Sequence, residues 1–146
     1  VIVLDTNVLS ELMRREPEPR VVAWFRHLPG GSLYTTAITR AELLFGVGLL
    51  PNGKRKAALS EAVAAIFAID LNGRVLPFDI EASDHFAQVA CQSRAQGMVM
   101  SDADARIAAI ASSRGAQLAT RNVADFAACG VPLLNPWEFR TPLRRR

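Results

Sequence analysis

Residues 1–12 read VIVLDTNVLSEL: four apolar residues, three of them β-branched, run straight into an acid, Asp5, followed by the hydroxyl of Thr6 and the amide of Asn7. A continuous apolar run of this kind is the pattern of a strand buried on both faces, as in a parallel sheet. Helical spacing takes over at residues 8–13, with Thr6 or Asn7 placed to cap that helix. A negative charge at the end of a buried strand needs a partner, and no obvious one follows locally. Asp5 is therefore the first residue to explain.

Working outward, Pro17 and Pro19 break the chain before a second helix, VVAWFRHL (21–28), and the PGG at 29–31 turns it into a short strand, SLYTT (32–36). The segment 37–50, AITRAELLFGVGLL, reads as a helix whose start is marked by Thr39. After a PNGK turn, 55–69 is a further amphipathic helix, and RVLPF (74–78) is a strand that Pro77 keeps short or peripheral. The spacing predicts helices over 80–96 and 101–114, closed by Gly97 and Gly115. QLAT (117–120) is a strand, VADFAA (123–128) a short helix and VPLLN (131–135) a last short strand. Strands alternating with helices, joined by crossovers too long for hairpins, indicate a three-layer α/β/α sandwich around a mostly parallel sheet of about four to five strands.

The bulk composition sets the class. A chain of 146 residues, half of them apolar, is long enough for one sizeable core. It reads as a single domain over 1–146, with 140–146 a flexible basic tail. No segment combines a basic start with an apolar run of spanning length, so the expectation is a soluble cytoplasmic protein without a membrane span. Cys91 and Cys129 lie far apart with no CxxC, which excludes a zinc-type spacing and a disulfide framework. His27 and His85 stand alone among apolar neighbours and read as structural.

In a parallel α/β sandwich, ligands collect outside the carboxyl ends of the strands. Asp5 ends the first strand, Glu42 falls in the first turn of the helix after the second, Asp104 opens the helix before QLAT, and Asp125 follows QLAT by a few residues. All four can converge on one rim. Two carboxylates about 4 Å apart repel by about 4 kcal/mol at an effective dielectric near 20, so such a cluster needs a cation or must change its protonation. Oxygen-only ligands select hard ions, which makes Mg²⁺, or Mn²⁺ in its place, the natural occupant.

Plainer readings exist for three of these acids. Thr39-x-x-Glu42 and Ser101-x-x-Asp104 both match helix-capping patterns, and Asp125 has the plain alternative of favouring a helix N-terminus. On charge, 17 Lys and Arg stand against 14 Asp and Glu. With four acids drawn into a cleft, the remaining surface keeps 17 cations against 10 acids, a balance that attracts polyanions.

The stretches VLDTNVLSEL, AITRAELLFGV, SDADARIAAIA and LATRNVADF, in this order, resemble the PIN-domain ribonucleases. More narrowly they are similar to the VapC-type toxins of bacterial toxin–antitoxin pairs, including the FitB-like branch. The likeness runs from Val1 to the NPWEF segment. It implies a PIN-like fold and a metal-dependent endoribonuclease that leaves a 5′-phosphate and a 3′-hydroxyl. It also implies a cognate antitoxin and a homodimer.

Residue by residue, the resemblance makes Asp5, Glu42 and Asp104 acids that hold the metal, with Asp5 and Asp104 as direct ligands. Asp102 is a neighbouring decoy, since Ile107 lies three residues after Asp104. Some relatives place a fourth acid directly after T-R, where this chain has Asn122, and others three residues later, where it has Asp125. The fourth position is assigned to Asp125, with Asn122 as a water or phosphate contact. Thr6 and Thr120 are expected to donate to metal-bound water or a carboxylate, and Arg121 to pair with an acid of the cluster or a substrate phosphate.

Trp24, Phe25, Phe45 and Phe67 read as core rather than stacking platforms, which points to recognition of RNA shape. Apolar positions near Leu43, Phe45, Leu49 and Leu50 either form a dimer surface or pack in the core. Two other functional classes remain open from the residues alone. One is a non-catalytic binding module whose acids are caps. The other is a phosphohydrolase with an aspartyl nucleophile in the Asp102-x-Asp104 pair.

Overall fold

The structure, a computed structural model, describes residues 1–141. The basic PLRRR segment, and with it most of the expected tail, lies outside the described residues. Five strands form one parallel sheet: β1 (Ile2–Leu4), β2 (Leu33–Thr36), β3 (Val75–Leu76), β4 (Gln117–Ala119) and β5 (Leu133–Leu134), in the order β3-β2-β1-β4-β5. Successive strands step outward from β1 on one side, and the chain then returns to lay β4 and β5 on the other. The direction of winding therefore reverses between β1 and β4, which is where open α/β sheets form their crevices.

Side-chain alternation along the central strands separates two cores. Val3 and Leu118 point to one face, where α5 (Ile80–Ala95) and α6 (Asp102–Ser113) cover them with Val89, Ile107, Ala108 and Ala111. Leu4 and Ala119 point to the other face. There they meet Val8 and Leu9 of α1 (Thr6–Leu12), Trp24 of α2 (Pro19–His27), Leu43 of α3 (Ala37–Gly48) and Val63 of α4 (Lys54–Ala65). The alanine-rich buried face of α6 lets that helix sit close against the sheet. The outcome is the expected three-layer sandwich, with every strand pair parallel.

Several local expectations are corrected. Helix α1 is capped by Asp5, whose side chain accepts the Thr6 N–H, rather than by Thr6 or Asn7. Helix α3 is capped by Thr36, which accepts the Thr39 N–H, so Thr39 lies inside the helix and Glu42 in its second turn. The α4 path runs on as a π-helical stretch, Ile66–Asp70, and Arg74 fastens the return by donating to the carbonyls of Leu33 and Asp70. Trp24 is core, but Phe45 and Leu49 are each 68% exposed, so the core-packing reading fails for both. Among the described residues no helix is long and apolar enough to cross a membrane.

Candidate active site

The carboxyl ends of β1 and β4 meet at Asp5. Its N–H continues the ladder by donating to the Ala119 carbonyl (2.9 Å), which fixes the residue against the neighbouring strand. Its Oδ1 accepts the Thr6 N–H at 2.8 Å, while Oδ2 accepts the Thr120 hydroxyl at 2.8 Å and Asn7 Nδ2 at 3.2 Å. The partner missing from the local sequence is thus Thr120, 115 residues away.

With 4% exposure, burial pushes the Asp5 carboxyl up to about 6. The Thr120 and Thr6 bonds oppose this, and the charges of Asp104 and Glu42 add to it. A carboxylate raised by both desolvation and like charge is one that a cation would relieve.

Thr120 is the hub behind Asp5. Its Oγ1 donates to Asp5 and accepts from Asn7 Nδ2 (3.2 Å) and the Asn122 N–H (3.1 Å). Asn7 is a bridge rather than a cap: its Oδ1 also accepts the Arg121 N–H at 3.2 Å, tying the loop after β4 to α1. Thr120→Val is near-isosteric but strands the Asn122 N–H and takes one bond each from the buried Asp5 Oδ2 and from Asn7 Nδ2, which keep only each other. It is expected to destabilise the protein by about 1–3 kcal/mol in urea unfolding at neutral pH, with an unchanged m-value.

Glu42 reaches the site through Thr6, whose hydroxyl lies 2.9 Å from Glu42 Oε1 and 3.1 Å from Thr39 Oγ1. Thr6 has one proton to give, and the charged acceptor takes it. The capping-box explanation of Glu42 is therefore removed, because the cap of α3 lies three residues before Thr39.

Asp104 does occupy the third position of a capped helix, its N–H donating to Ser101 Oγ at 3.1 Å. That bond uses its backbone and leaves the carboxylate to face the cleft. Burial raises the Asp104 carboxyl, Ser101 opposes, and the charges of Asp125 and Glu42 raise it further.

These groups line one open cleft of about 490 Å³, with Asp5, Thr6, Glu42, Asp104, Arg121 and Asn122 on its wall. Asp125 sits in a short 3-10 helix, Val123–Phe126, exposed and off that wall, and its charge acts on Asp104. Asp102 is exposed and outside the cleft. His85 is engaged with Ser112, His27 lies against Phe139, and both cysteines are free. Arg121 makes no ion pair with the acids; its guanidinium lies over the Trp137 ring, 5.2 Å from the centroid.

The donor set is all oxygen, which suits a hard divalent cation. Among the described residues no three Asp, Glu, His or Cys side chains stand close enough together to enclose an ion. A closed cage is not what such an ion needs, because Mg²⁺ is commonly held by one or two carboxylates and otherwise by water. Asp5 and Asp104 on the wall of an open cleft fit that requirement.

Four residues of the wall were not anticipated. Ser10, Glu11, Arg14 and Trp137 line the same cleft. The signal was present in α1 and just beyond it, where Asn7, Glu11 and Arg14 recur at helical spacing and fall on one face.

Comparison with known proteins gives the family and the fold. The model of the PIN domain family matches residues 2–129. The chain is 44% identical over 138 residues to VapC ribonuclease Y4jK of Sinorhizobium fredii, covering 94% of this chain and 99% of that protein. It is 42% identical to Toxin FitB of Neisseria gonorrhoeae, with the same coverage. A solved structure of FitAB bound to an IR36 DNA fragment superposes with a TM-score of 0.89 at 40% identity, covering 97% of this chain and 99% of that one.

Proposed function

The chain belongs to the PIN-domain family, and from that membership we propose that it is a Mg²⁺-dependent endoribonuclease, the toxin half of a type II toxin–antitoxin pair. The observation that carries the reading is the Asp5 carboxyl, buried at the switch point of the sheet and raised to about 6 beside Asp104 and Glu42. Similar proteins are named as a ribonuclease and a toxin, and FitAB is a pair seen on DNA. A cognate antitoxin is accordingly the expected protein partner.

In this reading Asp5 and Asp104 hold the ion, with Mn²⁺ as a possible substitute, and Glu42 and Asp125 complete the acidic set from either side. When bound, the metal supplies an activated water and charge stabilisation at the scissile phosphate. The chain's own residues do the rest. Thr120 and the Thr6 N–H fix the Asp5 carboxylate in one orientation, Thr6 does the same for Glu42, and Asn122 and Arg121 stand at the mouth for water or phosphate.

The surface outside the cleft carries an excess of cations that draws the RNA backbone inward. With few exposed aromatics on the cleft, structured RNA read by shape is the expected substrate. A single cytoplasmic domain over residues 1–146 that forms a homodimer completes the proposal. The exposed Leu44, Phe45 and Leu49 of α3 and its C-terminal boundary are candidates for the dimer surface.

The experiment is end-mapping of structured RNA incubated with the purified protein in Mg²⁺ and in EDTA. Fragments with 5′-phosphate ends in Mg²⁺ alone are the expected result, and their rate should fall steeply between low and physiological salt. Cleavage that persists in EDTA, or none in either condition, contradicts the proposal. Exposed Asp102 opens a helix instead of ending an apolar strand, so the aspartyl-nucleophile reading gains no support.

A further inference from the structure

Two arginines stand at an acidic cleft without neutralising it. No Lys, Arg or His nitrogen lies within ion-pair distance of Asp5, Glu42, Asp104 or Asp125 among the described residues. Arg14 is instead held by Glu11, its Nη1 donating to Oε2 at 3.1 Å and Oε1 at 3.2 Å, while Oε1 also accepts the Glu18 N–H at 3.0 Å. Glu11 is 7% exposed, whereas 64% of the Arg14 side chain is exposed. Burial pushes the Glu11 carboxyl up, yet the Glu18 N–H, the Arg14 bond and charge, and then the Arg121 charge bring it below its ordinary value. One anchored carboxylate thus holds Arg14 by direct contact and attracts Arg121 through its charge. What restrains Arg121 by contact is the Trp137 ring that it lies over.

We infer that Arg14 and Arg121 form a clamp for two backbone phosphates of the RNA at the cleft mouth, with Glu11 and Trp137 as the residues that position them. This rests on the nuclease reading of the same site. A guanidinium has five N–H donors, and Arg14 gives only those of Nη1 to Glu11, so Nε and Nη2 remain for a phosphate. The cation–π contact with Trp137 restrains Arg121 without using its N–H donors, and among the described residues its guanidinium donates to no acceptor. The same anchors keep both cations off Asp5 and Asp104, where they would compete with a metal ion. Positive groups at the rim and negative groups within fit a polyanion whose chain is gripped on the rim while one phosphate is presented to the acids.

The test is fluorescence anisotropy of a fluorescein-labelled stem-loop RNA titrated with the intact protein in EDTA over a salt series. Arg14→Ala and Arg121→Ala are each expected to weaken binding about tenfold at low salt and to reduce the slope of log K against log salt by about 0.7–0.9, one phosphate contact each. Arg94→Ala, a matched loss of charge on α5 away from the cleft, is expected to change binding less than about twofold. Glu11→Gln is expected to weaken binding in the same direction and to lower the thermal midpoint by a few degrees while staying fully folded at the assay temperature, and Glu11→Gln/Arg14→Ala to bind no more weakly than Arg14→Ala alone. Tight RNA binding by the wild type with slopes unchanged in both arginine variants overturns the clamp and leaves the nuclease reading standing. No RNA binding by the wild type at low salt removes both. Displacement of RNA by polyglutamate at equal charge concentration overturns the phosphate assignment in favour of an acidic peptide.

Discussion

Asp5→Asn is expected to lower Mg²⁺-dependent cleavage of structured RNA by about 10³-fold, since it removes a charge aimed at the reacting centre from a water-poor position. Loss of activity alone would not separate this role from misfolding, and the pH dependence of stability does. In the metal-free protein the folded carboxyl lies at about 6 against an ordinary value of 3.8. The folded state therefore binds this proton more tightly than the unfolded chain. The contribution is fully present below about 4 and is lost as pH rises through about 6. It amounts to on the order of 3 kcal/mol.

Urea unfolding of the wild type in EDTA should therefore show stability falling across that window, and Asp5→Asn should flatten the fall. The asparagine has its own cost, because its amide must point a donor at either the Thr6 N–H or the Asn7 amide. Its stability at neutral pH is thus expected near that of wild type rather than above it. A variant that cleaves normally, or that keeps the full pH dependence, would sink the assignment of Asp5.

Adding metal should reverse the sign of that penalty. At Mg²⁺ or Mn²⁺ about 100-fold above the dissociation constant, the folded state gains about 2.7 kcal/mol. For a chain of this size that corresponds to roughly 6–10 °C in thermal midpoint at neutral pH. Asp104→Asn is expected to lose most of the shift, and Asp125→Asn to retain most of it, because Asp104 faces the cleft and Asp125 stands off its wall. Differential scanning fluorimetry with a metal series decides between them. Equal losses in the two variants would move Asp125 into the group that grips the ion. A wild type indifferent to either metal would contradict the metal site altogether.

The parts of this protein that were readable from its residues are those with one dominant physical cause. Strands β1 and β4 are runs buried on both faces, and no competing pattern mimics them. The acid at the end of β1 stood out because buried charge is expensive. The cap of α3 was misread because 35–39, TTAIT, offers three threonines and local pattern does not say which one leaves helical geometry. The exposure of Phe45 and Leu49 was illegible for a different reason. Apolar side chains occupy nearly every side of 37–50, so periodicity names no buried face. Glu11 was not singled out, because its value comes from contacts with Glu18 and Arg14 that fold back onto it. Thr120 was named as a donor, but its role as the hydrogen-bond hub behind Asp5 depends on a pairing of strands distant in sequence.

That distance has a consequence for synthesis. While a ribosome is still making the chain, Asp5 emerges early, but the hydroxyl that steadies it arrives 115 residues later, just after the strand that flanks it. A nascent polypeptide that has not reached that strand carries the acid without its support, so the site should assemble only after both segments have been made.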